Sequence, residues 1–108
     1  MRINRGLDQP LWLAPTIRHA ADILRDMGRN VDSAPHCREA LELYRGHNEP
    51  APLDLANTLG GYALLKGEGG AFREAEQLWQ EAGRLYAQVD VHAGVAESKA
   101  EIARVSAD

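Results

Sequence analysis

Apolar residues recur along most of this chain at three- and four-residue steps, and no stretch alternates strictly between apolar and polar. Such spacing lines one face of a helix, whereas a half-buried strand needs a period of two. Ile17, Ala20, Ala21, Leu24 and Met27 form the first face. Its helix is expected to begin at Pro15, since proline suits a first helical position, and to stop at Gly28. A second helix is expected to start late, around Ser33 to Pro35, because proline is tolerated only in a first turn. It runs through Cys37, Ala40, Leu41 and Tyr44 to about Gly46, and a polar connector from Asn48 to Pro52 follows. The third spans about Pro52 to Lys66 with Leu55, Leu59, Tyr62, Ala63 and Leu65 inward, and Gly67, Gly69 and Gly70 break it. The fourth spans about Ala71 to Val89 and carries Ala75, Leu78, Trp79, Ala82, Leu85 and Tyr86 at helical spacing. Asp90 is a residue type that caps helix N-termini. It introduces a fifth helix over about 91–106, with Val91, Val95, Ala96, Ile102 and Ala103 on one side. Residues 1–14 show no period and read as a lead-in. The class is all-α, with about five antiparallel helices.

A second regularity is laid over the first. Shifting the chain by 42 residues, without a gap, places Leu59 on Ile17, Ala63 on Ala21, Leu65 on Ile23 and Gly70 on Gly28. The same shift places Glu81 on Glu39, Ala82 on Ala40, Leu85 on Leu43 and Tyr86 on Tyr44. The shared positions are small, apolar or turn positions, as a packed helix pair requires, and a fixed period of this size marks stacked supersecondary units. The fifth helix fits this scheme only if its preceding loop is two residues shorter, because Ala40 to Ala63 is 23 residues and Ala82 to Ala103 is 21.

In the second unit the order is Leu59-x-x-Tyr62-Ala63, then Gly70-Ala71-Phe72, then Ala75-x-x-x-Trp79-x-x-Ala82. This resembles the tetratricopeptide repeat (TPR) family, in the longer 42-residue variety found in kinesin light chains and many bacterial regulators. The resemblance covers about Pro15 to Ala103 and is densest in the second unit. It implies an α-α superhelix, a right-handed TPR-like solenoid over residues 15–108. Its units would be about 15–51 and 52–90, with a closing helix at about 91–106. It further implies that the first helix of each pair lines a concave groove. Carried over position by position, the groove set is Arg18, Asp22 and Arg25, then Asn57, Gly60, Gly61 and Leu64, then Glu97, Ala100 and Arg104. Family members that clasp a C-terminal carboxylate need an asparagine where Asp22 stands, and the paired asparagines of the kinesin type are Gly60 and Gly61 here. Neither ligand type is carried over.

Composition narrows the function class. At 108 residues, 44% hydrophobic and 26% charged, the chain has the size and make-up of one soluble domain able to bury a core unaided. Its net charge of −4 comes without a basic stripe, so no nucleic acid is expected as a partner. No stretch is long and apolar enough for a membrane span, and the opening residues lack a signal peptide's apolar run. One cysteine, Cys37, makes no internal disulfide. The cytoplasm is the expected compartment.

Candidate chemistry is sparse. Gly67-Glu68-Gly69-Gly70 follows Lys66 and lacks the order of a phosphate loop, so it reads as a turn. His19, His36, His47, His92 and Cys37 show no zinc-ligand spacing, and neither a metal nor another cofactor is expected. No two carboxylates form a recognisable acid–base unit, so no enzyme activity is expected. Gly60-Gly61 inside a helix reads either as close helix packing or as bare groove floor, and Leu64 either as a peptide anchor or as core. The expected function is a non-catalytic module that holds a peptide or protein surface in its groove. The alternative is a self-associating scaffold, a homodimer or an accessory subunit of a separately encoded enzyme, using the ends of the helix stack. Leu11, Trp12 and Leu13 mark one end, and Val95, Ile102 and Val105 the other.

Overall fold

A computed structural model describes residues 13–46 and 51–106. Among them lie five α-helices: α1 (Leu13–Asp26), α2 (Asn30–Arg45), α3 (Pro52–Glu68), α4 (Phe72–Gln88) and α5 (His92–Ser106). The described residues contain no strand. The chain divides into two compact units, Met1–Ala51 and Pro52–Asp108. In the first, α1 packs antiparallel on α2; in the second, α4 packs antiparallel on both α3 and α5.

The first unit is closed by small residues. Ala14, Ala21, Ser33, Cys37 and Ala40 are buried, and so are Leu41, Leu43 and Tyr44. Ser33 occupies an apolar face, and its hydroxyl donates to the Ala21 carbonyl at 2.7 Å. A buried hydroxyl needs such a partner, and this one also ties α2 to α1. Two expectations shift here. Helix α1 starts at Leu13, ahead of Pro15, so Leu13 and Ala14 belong to the helix and not to a lead-in. Helix α2 starts at Asn30, which puts Pro35 inside it rather than at its beginning. The chain reverses at Gly28, leaving Arg29 poised to open α2: its carbonyl takes the Ser33 N–H at 3.0 Å, and its side chain reaches Asp32 at 2.8 Å. The bond that Pro35 forgoes would have gone to Val31, a residue 86% exposed, where water can serve the carbonyl instead.

In the second unit α4 supplies the large side chains and its neighbours the space for them. Trp79 is fully buried, and Gly60 of α3 lies so close that a Cβ there would sit 3.1 Å from Cζ3 and 3.3 Å from Cη2 of the indole. Gly94 of α5 lies beneath Tyr86, whose hydroxyl donates to Asn57 Oδ1 of α3 at 2.6 Å. Tyr86 therefore bridges the two flanking helices. Ser98 faces Gly83, and Val105 stands beside Gly67.

The 42-residue shift holds in three dimensions, unit by unit. Ser33, Cys37, Ala40 and Tyr44 of α2 are buried, as are their counterparts Ala75, Trp79, Ala82 and Tyr86 of α4. Ala14 and Ala21 of α1 correspond to the buried Ala56 and Ala63 of α3, and these in turn to the buried Ser98 and Val105 of α5. The last step corrects the expected register. Helix α5 needs no shortened loop: Val105, not Ala103, is the buried counterpart of Ala63, and Ala103 is exposed. The correspondence fails at Ile23, exposed where Leu65 is buried, and Met27, expected on the apolar face, is 61% exposed.

The turns repeat as well. At Gly28 and Gly70 the backbone has φ of 78° and 86°, and each turn carries the same two bonds. Arg29 N–H reaches Leu24 O at 2.8 Å and Gly28 N–H reaches Arg25 O at 2.9 Å; Ala71 reaches Lys66 at 2.8 Å and Gly70 reaches Gly67 at 3.1 Å. These are Schellman turns, which need a left-handed residue and favour glycine. A third follows α4: Val91 reaches Tyr86 at 2.9 Å and Asp90 reaches Ala87 at 3.2 Å, with Asp90 itself at φ 59°. Asp90 therefore ends α4 and does not cap α5. Aspartate tolerates the left-handed region better than most residues but still with strain. Asp90→Gly is expected to stabilise the protein by about 0.5 kcal/mol, the relief exceeding the extra freedom glycine gives the unfolded chain. A urea titration checks it, and a loss of stability would mean that the carboxylate contributes more than the strain costs.

Candidate functional site

The residues outside the core, rather than those in it, are free to meet a partner. On α1, Arg18, Asp22 and Arg25 stand one turn apart, and the structure joins them. Arg18 Nη1 lies 3.1 Å from Asp22 Oδ2, and Arg25 Nη2 lies 3.8 Å from Asp22 Oδ1, with side chains between 21% and 30% exposed. Partly exposed pairs of this kind add only about 0.3–0.5 kcal/mol each. Their consequence is geometric: one carboxylate holds two guanidinium groups in a line and leaves one positive charge in excess. Arg18 Nε is shielded from solvent and has no hydrogen-bond partner among the described residues.

In the second unit the expected set separates into three parts. Gly60 is buried against Trp79, so it serves packing and is withdrawn from any ligand surface. Asn57 is half-buried and engaged by Tyr86. Gly61 and Leu64 are half-buried on α3, and Glu97, Ala100 and Arg104 are exposed on α5. Arg104 bonds Glu101 at 2.6 Å, and its Nη2 lies 3.9 Å from where a Gly67 Cβ would be. It thereby brings a cation to the last turn of α3, where carbonyls are left over and positive charge is favourable.

Among the residues singled out for self-association, Val105 is 3% exposed and belongs to the core of the second unit, so it offers no contact surface. Val95, Ile102 and Leu13 are half-buried, while Leu11 and Trp12 lie outside the described residues. One feature on α3 escaped the sequence reading: Lys66 Nζ sits 5.2 Å from the centre of the Tyr62 ring and 3.6 Å from Glu74 of α4. The four-residue step from Tyr62 to Lys66 is its signal in the sequence, hidden because Tyr62 equally fits a core position and Lys66 a helix end.

Among the described residues no group of three histidine, cysteine or acidic side chains could hold a metal ion, and His47 lies outside them. His36 Nδ1 is 3.0 Å from the Asp32 carbonyl in its own helix. Among the same residues no helix is long and apolar enough to cross a membrane. Cys37 is buried, and burial pushes its thiol up, partly offset by the Ser33 hydroxyl. The native protein thus keeps this proton at a pH where the unfolded chain releases it. The stability linked to it is whole at lower pH and is lost as pH climbs beyond about 9. Thiol reagents at pH 8 are expected to label Cys37 only as fast as the first unit opens. Labelling at the rate of a free thiol in native buffer would contradict this placement.

Comparison of the chain with protein-family models, with curated proteins and with solved structures finds no match in any of the three.

Proposed function

We propose that this chain is a non-catalytic interaction module of the TPR-like kind, and that the outward faces of its helices hold a peptide or protein segment. The observation that carries the reading is the division of labour within the 42-residue period. Positions that repeat are buried small residues, core aromatics and left-handed turns, whereas the outward positions differ from helix to helix: His19, Gly61 and Ala103 occupy one such position, and Asp22, Leu64 and Ser106 another. A scaffold that repeats its packing and varies its surface is how helical repeats present a binding face. The right-handed solenoid is the finer part of the same proposal. On α1 the two guanidinium groups braced by Asp22 suit carbonyl or carboxylate oxygens of a bound segment. On α3 and α5, Leu64 and Ala100 offer apolar contact beside Arg104.

A display library of random peptides selected against the folded chain tests this. Enriched peptides are expected to carry acidic residues and to bind less tightly as salt rises, since exposed charges are screened beyond about 8 Å at physiological ionic strength. Arg18→Glu and Leu64→Glu should each weaken binding at least about tenfold, a loss near 1.4 kcal/mol. Selection of no peptide, or binding indifferent to both substitutions, would sink the reading.

A second reading, self-association through exposed apolar residues, is favoured by Ile23, Met27 and Val31, which stand open on α1, in the turn after it and at the start of α2. Light scattering of Met27→Glu beside the parent chain separates the two.

A further inference from the structure

Helix α5 packs along α4 with few fully buried side chains, its Val95 and Ile102 being only half-buried. Its buried residues are Gly94, Ser98 and Val105, which together bring a single aliphatic side chain, whereas α4 buries Ala75, Trp79, Ala82 and Tyr86. The Ser98 hydroxyl is buried without a hydrogen-bond partner among the described residues, a loss relative to water that the counterpart residues Ala14 and Ala56 do not incur. The residue that opens α5 is Val91, whose carbonyl accepts the Val95 N–H at 3.2 Å and whose side chain has no oxygen to cap the helix.

The turn that folds α5 back onto α4 is also the weakest of the three. Where the other two turns have Gly28 and Gly70, this one forces Asp90 to φ 59°. The run from Gln88 to His92 contains neither glycine nor proline, so nothing in it prevents a continuous helix, and straightening it would release Asp90 from the left-handed region. The seat that α5 occupies is nevertheless shaped for this helix alone. It takes a residue without a side chain beneath Tyr86, a small one against Gly83 and a valine beside Gly67.

From these observations we infer that α5 exchanges between two copies of the chain. The Asp90 turn opens, α4 and α5 run on as one helix over residues 72–106, and that helix carries α5 away from its own seat. A seat so specific is refilled by the same helix from a second copy, giving a two-fold pair in which every seat is filled and both Asp90 turns are relaxed. The inference rests on the second unit alone and does not depend on the peptide-binding reading.

Two Asp90 variants test it without altering the seat. Asp90→Ala strains the turn further and favours the continuous helix, whereas Asp90→Gly relieves the turn. Light scattering from micromolar to millimolar concentration is expected to rank dimer formation Asp90→Ala above the parent chain and the parent above Asp90→Gly. The dissociation constants of the two variants should differ at least about tenfold, since each dimer relaxes two left-handed residues. Mixing Gly83→Cys with Ser98→Cys under mild oxidation should link the two chains through these positions, because a Cβ at 83 falls 3.2 Å from that of Ser98. Monomers throughout, equal dimerisation of the two Asp90 variants, or dimers without the 83–98 link would each overturn the proposal. If either cysteine variant fails to fold, the order of the Asp90 variants decides.

Discussion

Trp79→Ala is expected to cost about 3–5 kcal/mol, the largest loss from any single substitution in the described residues. The indole is fully buried at the centre of the second unit, where α3 is reduced to glycine to admit it. Removing it leaves a void that neighbouring backbone cannot close, so the lining loses its contacts as well as the burial. Set against a total stability of about 5–15 kcal/mol, such a loss leaves the second unit marginal at 37 °C. Urea unfolding followed by circular dichroism measures it. A cost below about 1 kcal/mol would show that Trp79 is not the keystone of this core. The pairing with Gly60 gives a sharper check. Gly60→Ala alone should cost about 1 kcal/mol, because the added carbon sits 3.1 Å from the indole. In a Trp79→Phe background the outer ring atoms it would meet are absent, and the same substitution should become neutral or favourable. Additive effects would contradict the contact.

Gly94→Ala carries the second largest expectation, because here even a methyl has no room. A Cβ at this position would come under 3.0 Å from Cγ, Cδ1 and Cδ2 of Tyr86. Tyr86 cannot simply swing aside, being buried and bonded through its hydroxyl to Asn57. Either α5 moves off α4 or the ring breaks that bond, at a cost of about 2–3 kcal/mol. The sign should reverse when the ring is gone. In a Tyr86→Ala background, alanine at 94 should stabilise by about 1 kcal/mol, its ordinary advantage over glycine inside a helix. Thermal or urea unfolding of the four proteins completes the cycle. A Gly94→Ala penalty that persists without the ring would place its origin elsewhere.

Both substitutions act at glycines whose reason is invisible locally. Inside a helical stretch, glycine reads as a weakness, and Gly60-Gly61 admit both close packing, the favoured reading, and an open groove floor. The contact with Trp79 assigns Gly60 to packing, and that contact joins residues 19 apart on different helices. Asn57 is a similar case. The resemblance to the repeat family implies a groove residue there, yet Tyr86 engages it from 29 residues away.

What the linear order determined by itself was whatever depends on periodicity. Three- and four-residue spacing decided that the chain is helical, and the 42-residue shift picked out Ala21 with Ala63, Ala40 with Ala82 and Tyr44 with Tyr86, all of them buried. The left-handed turns at Gly28 and Gly70 were legible because only glycine adopts that conformation without strain. Tertiary structure alone decided the exceptions. Asp90 is a good N-cap by type and a helix terminator in fact, since the bonds from Asp90 and Val91 back into α4 outweigh its backbone strain. Val105 rather than Ala103 faces inward because α5 keeps the register of α3, a choice that two small apolar candidates two residues apart leave undecided until the neighbour is in place. The physical reason is common to all of these: a repeating pattern constrains a helix's own face, while the opposing surface settles which of several permissible residues that face turns inward.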